Sequence, residues 1–185
     1  ASGMKGQVAG EVKDLDFEKY MDKRDIRRSD RVMLLGLVAA TQAYEQSGVK
    51  PEDYDPYRFG TFVTSGIGGL NTIYEETKNV YEKSIDRMSS FFIPNSIINM
   101  IGGMISIRFG SKGPSLPIVT ACSASTNAIG EAFRYIKDGY IDCALAGGAE
   151  ASINPIGVGG FTALRALNQS NDPKRASIPF DKERS

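Results

Sequence analysis

Cys122 is the residue of this chain whose type and setting best suit covalent chemistry. It lies in the window 119–125 (VTACSAS), between a strand-like segment and a helical one. The small neighbouring residues allow a sharp turn and the close approach of a substrate. The N-terminus of a helix carries unpaired N–H groups and a partial positive charge, which favour the nucleophilic thiolate over the thiol. The sequence therefore offers Cys122 as a candidate nucleophile.

The chain contains no histidine, the residue that usually activates a nucleophilic cysteine. A helix terminus contributes at most about 2 kcal/mol, which does not ionise a thiol fully at neutral pH. A lone cysteine is also commonly a buried structural residue. From these residues alone both interpretations of Cys122 stay open, whereas Cys143, inside an apolar strand-like run, is expected in the core.

Composition excludes several classes of function. Lysine plus arginine equals aspartate plus glutamate at 22 each, so no global charge points to nucleic acid or an anionic membrane. No apolar run approaches the roughly 20 residues that span a bilayer. Two cysteines make neither a disulfide framework nor a zinc site, and the sequence indicates no metal or cofactor. We expect a cytoplasmic protein, because nothing resembles a secretion signal and both cysteines are left as thiols.

The elements that must position Cys122 alternate between helix and strand. Apolar periodicity predicts helices over 32–46, 71–80, 96–109 and 125–137, the first with Ser29 or Asp30 as N-cap and Gly48 as C-cap. Short apolar runs predict strands over 59–65, 116–120 and 141–146, with Pro117 favouring an edge position. Strand, helix and strand with short joins form a βαβ unit, so the fold class is α/β with a parallel sheet. Neither end of the chain reads as a natural domain boundary, and we expect truncation at both.

A series of motifs carries a family resemblance over about residues 8–184. In chain order the motifs are SGIGGL at 65–70, FFIP at 91–94, INM at 98–100, GP at 113–114, TAC at 120–122, AGGAE at 146–150, PIGVGGF at 155–161, RAL at 165–167 and PFDK at 179–182. In order and spacing they resemble the elongating β-ketoacyl-[acyl carrier protein] synthases, most closely the type II branch of bacterial fatty acid synthesis. The resemblance favours the nucleophile interpretation of Cys122.

The resemblance implies a thiolase-like fold of layered αβαβα architecture, of which residues 1–185 cover most of the first half. It implies that Cys122 accepts an acyl chain as a thioester from acyl carrier protein. Malonyl carrier protein then loses carbon dioxide and condenses with that thioester. The N–H of Cys122 forms half of the oxyanion hole, while two histidines and a lysine act from beyond Ser185.

The same resemblance assigns roles to other positions. It places six residues along the acyl pocket, some across a homodimer interface: Gly66, Ile67, Phe92, Ser152, Gly157 and Phe161. It places a docking patch for the acidic carrier protein at Arg24, Arg27 and Arg28, and adds Arg87 and Arg165. Alternatively, the six pocket residues are ordinary core or turn residues, and the docking arginines belong to a solvated charged face. Met104 and Asn127 depart from the family, which often has histidine nearby, though not its catalytic pair.

Two other functions fit the sequence. A polyketide ketosynthase shares the cysteine motif, and nothing inside the chain separates the two pathways. A non-catalytic module that binds a carrier protein or takes part in assembly is the alternative of another class, and the absence of histidine favours it for residues 1–185 taken alone.

Overall fold

The computed structural model describes residues 8–184, which divide into two compact units. The first unit is Asp16–Ala151 and holds Cys122. The second contains residues 8–15 and 152–184. Among the described residues, no helix is both long and apolar enough to cross a membrane.

Seven helices and two strands are formed between residues 8 and 184. In chain order they are α1 (Lys23–Arg28), α2 (Arg31–Ser47), β1 (Phe59–Thr64), α3 (Leu70–Glu82), α4 (Phe92–Ser96), α5 (Asn99–Phe109), α6 (Ala124–Lys137), β2 (Cys143–Gly148) and α7 (Pro155–Ala163).

The two strands form a parallel sheet inside the first unit, as the α/β prediction requires. Its register runs from Phe59 opposite Cys143 to Thr64 opposite Gly148. All six residues of β1 are buried. Both edges of β1 are covered, one by β2 and the other by an isolated parallel bridge between Thr61 and Ser115.

Helices cover both faces of this sheet. On one face Phe62 packs with Ala128 and Ala132 of α6 and with Ile141. On the other face α5 packs against β1 and α2 packs against α5. The approach there is close, because a Cβ on Gly102 would lie 3.1 Å from the carbonyl oxygen of Val63. Cys122 therefore precedes a helix that is packed directly on the sheet.

The caps predicted for the first long helix are confirmed. Asp30 is the N-cap of α2, and its carboxylate accepts from the N–H of Val32 at 2.9 Å. Gly48 ends the helix in the left-handed region, with a φ of 68°. The predicted helices 71–80 and 125–137 are confirmed as α3 and α6.

The strand predicted over 116–120 is wrong. Ser115 makes a bridge to β1, and Leu116 donates its N–H to the carbonyl of Thr61 at 3.0 Å, but no regular strand follows. The next residue, Pro117, has no N–H to extend the ladder. Instead the hydroxyl of Thr64 donates to the carbonyl of Ile118 at 3.0 Å, so a side chain takes the place of a backbone partner.

The helix predicted over 96–109 is broken into α4 and α5. Ile97 is extended, with a ψ of 139°. The carbonyl of Ser96 accepts from the N–H of Gly69 at 3.2 Å, whereas the N–H of Met100 turns to Ile97. A continuous helix would pair Ser96 with Met100, so the loop containing Gly69 takes the acceptor that the helix needs.

The strand predicted over 141–146 is shifted to β2, Cys143–Gly148. This strand is less buried than β1, since Ala146 is exposed. Cys143 begins this strand and is half-buried, so its prediction as a core residue is only partly right. Burial and, secondarily, Asp142 raise the pKa of the Cys143 thiol.

In the second unit, α7 begins with a side-chain cap. Asn154 is the N-cap, and its side-chain oxygen accepts from the N–H of Gly157 at 2.8 Å. Pro155 occupies the first helical position, where a missing N–H is harmless.

Candidate active site

Cys122 lies in a one-turn 3₁₀ helix, Ala121–Ser123, which leads directly into α6. The turn is closed on the carbonyl of Thr120, which accepts from the N–H of Ser123 at 3.2 Å and from its hydroxyl at 2.8 Å. Asn127, one turn into α6, donates to the hydroxyl of Thr120 at 2.8 Å. The side chain of Cys122 is exposed, so a substrate can reach the thiol.

Ala121 has a backbone conformation that residues with a side chain rarely adopt. Its φ is +52°, in the left-handed region. Such a conformation costs about 1–2 kcal/mol for an L-residue. It persists only where the surroundings fix it, and strain of this kind is common at functional sites. The strain lies in the residue that supplies the peptide carbonyl before Cys122.

The loop after β1 lies against this turn and carries two of the predicted pocket residues. A Cβ on Gly66 would stand 3.2 Å from the carbonyl oxygen of Ala121, so the loop approaches the turn with little room for a side chain. Ile67 follows and is half-buried. The structure thus brings Gly66 and Ile67 beside the Cys122 turn. Ligand sites in parallel α/β sheets lie at the carboxyl ends of strands, as this one does.

Glu150, just beyond β2, binds the same loop through its carboxylate. One carboxylate oxygen accepts from the hydroxyl of Ser65 at 3.2 Å and from the N–H of Ile67 at 3.1 Å. The other accepts from the N–H of Ala151 at 3.1 Å. Sequence reasoning noted this residue within a motif but gave it no role. The signal was an acidic residue at the carboxyl end of a strand.

Phe92, a further predicted pocket residue, lies in α4 and is half-buried. Helix α4 packs against the glycine loop, because a Cβ on Gly69 would overlap the carbonyl oxygen of Asn95. The same Asn95 donates its side-chain amide to the carbonyl of Arg28 at 2.8 Å. Helix α4 therefore contacts both the pocket loop and the end of α1.

The predicted docking arginines Arg24, Arg27 and Arg28 are all exposed on α1. The guanidinium of Arg28 lies 5.2 Å from the ring centre of Phe91. Arg27 and Arg28 line an open cavity of about 260 Å³, whose other residues include Asn95. The charge of this cavity is mixed, since Asp30, Glu75 and Glu76 also line it.

The remaining predicted residues lie apart from this cluster in sequence. Arg87 is exposed in a 3₁₀ turn of the first unit. Ser152, Gly157, Phe161 and Arg165 belong to the second unit. Gly157 and Phe161 are in α7, the former buried and the latter half-buried, while Arg165 is exposed.

The geometry as a whole suits nucleophilic attack by a cysteine. An exposed thiol stands at the start of a helix, in a strained turn that a glycine loop packs against. The chain itself holds no histidine to act as base. What these residues can supply is a thiol and a fixed backbone around it.

The sequence matches a known protein family and its members. Residues 2–183 match the family model of the β-ketoacyl synthase N-terminal domain. The 3-oxoacyl-[acyl-carrier-protein] synthase 2 of Vibrio cholerae is 43% identical over 179 residues, which are 96% of this chain and 43% of that protein. The chain thus spans less than half the length of this curated relative.

Solved structures are similar over less than half of their own chains. A β-ketoacyl synthase from Burkholderia phymatum has a TM-score of 0.79 at 25% identity, over 99% of this chain and 45% of its own. A ketosynthase of a type II polyketide system, solved with its acyl-carrier protein, has a TM-score of 0.78 at 25% identity, over 85% of this chain and 45% of its own. These likenesses confirm the thiolase-like α/β fold.

Proposed function

Since this chain belongs to the β-ketoacyl synthase family, whose N-terminal domain it matches, we propose that the protein carrying it is a 3-oxoacyl-[acyl carrier protein] synthase of fatty acid elongation. The observation that carries the proposal is the exposed Cys122 in a strained turn at the start of α6. The similarity to the Vibrio cholerae synthase, at 43% identity, supports this family branch.

In the first step the sulfur of Cys122 attacks the thioester carbonyl of acyl carrier protein. A carbon–sulfur bond forms, and the carbonyl oxygen carries the negative charge of the tetrahedral intermediate. A backbone N–H that points at this oxygen stabilises the charge, and that of Cys122 is the donor in this chain. The intermediate collapses with loss of the carrier's thiolate, which takes up the proton given up by Cys122.

In the second step the acyl group leaves Cys122 for a new carbon–carbon bond. Malonyl carrier protein loses carbon dioxide, and the electron pair of the broken bond attacks the thioester carbonyl on Cys122. The sulfur departs as thiolate and regains a proton. The products are carbon dioxide and a 3-oxoacyl carrier protein two carbons longer.

In the proposal, the residues that assist decarboxylation come from outside residues 1–185. The chain covers 43% of the Vibrio cholerae relative and contains no histidine, so the histidines and lysine that assist decarboxylation would come from the remainder. We predict that residues 1–185 alone do not condense substrates. The exposed apolar side chains of α6, Ile129 and Phe133, favour a further layer of protein over that helix.

The partners in the proposal are acyl and malonyl carrier proteins and a second copy of the protein. The exposed arginines of α1 suit an acidic carrier, and the similar polyketide ketosynthase was solved with its own acyl-carrier protein. Exposed Leu116 and Val119, on the extended edge beside β1, suit pairing in a homodimer. The cytoplasm, a reducing compartment, suits a reactive free thiol.

A polyketide ketosynthase is the second candidate. The similarity to a type II polyketide ketosynthase favours it, but at 25% identity against 43% for the fatty acid enzyme. A non-catalytic module is a third, and the exposed thiol in a strained turn argues against it.

The experiment that tests the proposal is turnover of acyl and malonyl carrier proteins by the complete protein. We expect 3-oxoacyl carrier protein from the wild type and none from Cys122→Ala, which should fold normally because Cys122 is exposed. Cys143→Ala is the matched control and should retain activity. Product formation by Cys122→Ala contradicts the proposal.

A further inference from the structure

We propose that Glu150 is a positioning residue for the peptide bond between Ala121 and Cys122, and thereby for the N–H that stabilises the oxyanion. The inference rests on the proposed function. It assigns a role to a carboxylate that the acyl-transfer chemistry itself does not use.

The carboxylate of Glu150 fixes the loop after β1 by hydrogen bonds to two successive parts of it. One oxygen accepts from the hydroxyl of Ser65 at 3.2 Å and from the N–H of Ile67 at 3.1 Å. Glu150 is itself fixed, because its other oxygen accepts from the N–H of Ala151. The residue before Glu150, Ala149, donates its N–H to the carbonyl of Thr64 at 3.0 Å, at the end of the pairing between β1 and β2. The loop is thus tied to the end of β2.

Ser65 makes this connection hard to replace. Its side chain is 2% exposed, so water cannot readily take the place of its partners. The hydroxyl donates to Glu150 and accepts from the N–H of Gly68 at 2.9 Å, which closes the loop on itself. Without the carboxylate, a buried donor would lose its acceptor and the loop would lose its anchor.

The anchored loop approaches the Cys122 turn at Gly66. A Cβ there would be 3.2 Å from both a Glu150 oxygen and the carbonyl oxygen of Ala121, so the backbone of Gly66 runs close to both. That carbonyl also accepts from the N–H of Ala124 at the start of α6. The Ala121 carbonyl is therefore hydrogen-bonded on the helix side and closely approached by the loop.

Fixing this carbonyl fixes the N–H of Cys122. Both belong to one planar trans peptide, in which the C=O and N–H point in opposite directions. The φ of Ala121, +52°, is unfavourable, so the peptide would relax if a neighbour released it. Glu150, through the loop, opposes that relaxation.

The test separates a reaction that needs the oxyanion donor from one that does not. Acyl transfer from octanoyl-[acyl carrier protein] to Cys122 passes through an oxyanion, whereas alkylation of the same thiol by iodoacetamide does not. Both rates are measured on the complete protein for the wild type, Glu150→Ala and Glu150→Gln. Glu45→Ala, which alters an exposed carboxylate on α2, is the matched control.

We expect Glu150→Ala to slow acyl transfer by about tenfold or more, since loss of one oxyanion donor slows catalysis by roughly 10²–10³. Alkylation should stay within about twofold. Glu150→Gln, which keeps one acceptor oxygen, should lose less, and Glu45→Ala should change neither rate. If Glu150→Ala does not fold, the split between the two rates in Glu150→Gln decides.

Two results overturn the role of Glu150 while leaving the proposed function intact. One is an unchanged rate of acyl transfer in the variants. The other is an equal fall in acyl transfer and alkylation, which indicates general loosening of the turn. A wild-type protein that is alkylated at Cys122 but never acylated overturns the proposed function and this role with it.

Discussion

Gly69 and Asn95 are in direct backbone contact, with no space between them for a side chain. A Cβ on Gly69 would overlap the carbonyl oxygen of Asn95. The N–H of Gly69 also donates to the neighbouring carbonyl of Ser96 at 3.2 Å. This contact joins the pocket loop to α4. The side-chain amide of Asn95 then joins α4 to the arginine-bearing helix α1 through the carbonyl of Arg28.

Gly69→Ala is expected to lower the free energy of unfolding by about 3 kcal/mol, because backbone atoms cannot move aside as a flexible side chain can. Urea unfolding of the purified chain measures the change. Gly103→Ala in α5 is the control, since no atom beyond its chain neighbours and its own helix backbone lies within 4 Å of its Cβ position. Helix propensity should make that variant more stable by about 0.5–1 kcal/mol. Equal stability of the two variants contradicts the contact.

Asn95→Ala is expected to weaken carrier-protein binding without removing a charge. Its amide bonds the carbonyl of Arg28 at 2.8 Å, and one hydrogen bond contributes about 1 kcal/mol. The dissociation constant of the complete protein for acyl carrier protein should rise by up to about fivefold. Asn79→Ala, which removes an acceptor for the exposed Lys83 just after α3, is the control. An unchanged dissociation constant in Asn95→Ala shows that the hydrogen bond from α4 to Arg28 does not affect carrier-protein binding.

Asp142→Asn is expected to remove a pH-dependent part of the stability. Two hydrogen bonds from Arg58, at 2.7 and 2.8 Å, hold the pKa of the Asp142 carboxyl below its ordinary value. A depressed pKa stabilises the fold above the unfolded value of about 3.9, and the contribution disappears as the pH falls through the folded pKa. The wild type should therefore exceed Asp142→Asn in stability at pH 7, and the difference should shrink on acidification. A difference that does not depend on pH refutes the linkage.

The two cysteines are expected to react at different rates with a maleimide at neutral pH. Cys122 is exposed, whereas Cys143 is half-buried and its pKa is raised by burial. Only the thiolate reacts, so labelling of Cys143 should become appreciable at higher pH than the ordinary value of about 8.5. Peptide mass mapping of Cys122→Ala and Cys143→Ala assigns each rate. Faster labelling of Cys143 contradicts the exposures.

Local chemistry explains which elements the sequence could predict. Helix α2 has a side-chain cap at Asp30 and a left-handed glycine at Gly48, and both signals are contained in neighbouring residues. The turn that contains Cys122 was predictable for the same reason, because small residues surround it directly before a periodic helical segment. The order and spacing of the motifs along the chain identified the β-ketoacyl synthase family.

Partners distant in sequence explain what could not be predicted. The apolar run at 116–120 has the composition of a strand, but the hydroxyl of Thr64 bonds it instead. The helix at 96–109 breaks because Gly69, far earlier in the chain, takes the carbonyl of Ser96. The role of Glu150 depends on Ser65 and Ile67, more than eighty residues away. No local pattern encodes these pairings.

The most direct measurement is the mass of the peptides of the complete protein after incubation with an acyl carrier protein thioester. We expect one acyl group on the peptide that contains Cys122, and none after Cys122→Ala. An acyl group on any other residue, or an adduct that survives Cys122→Ala, contradicts it.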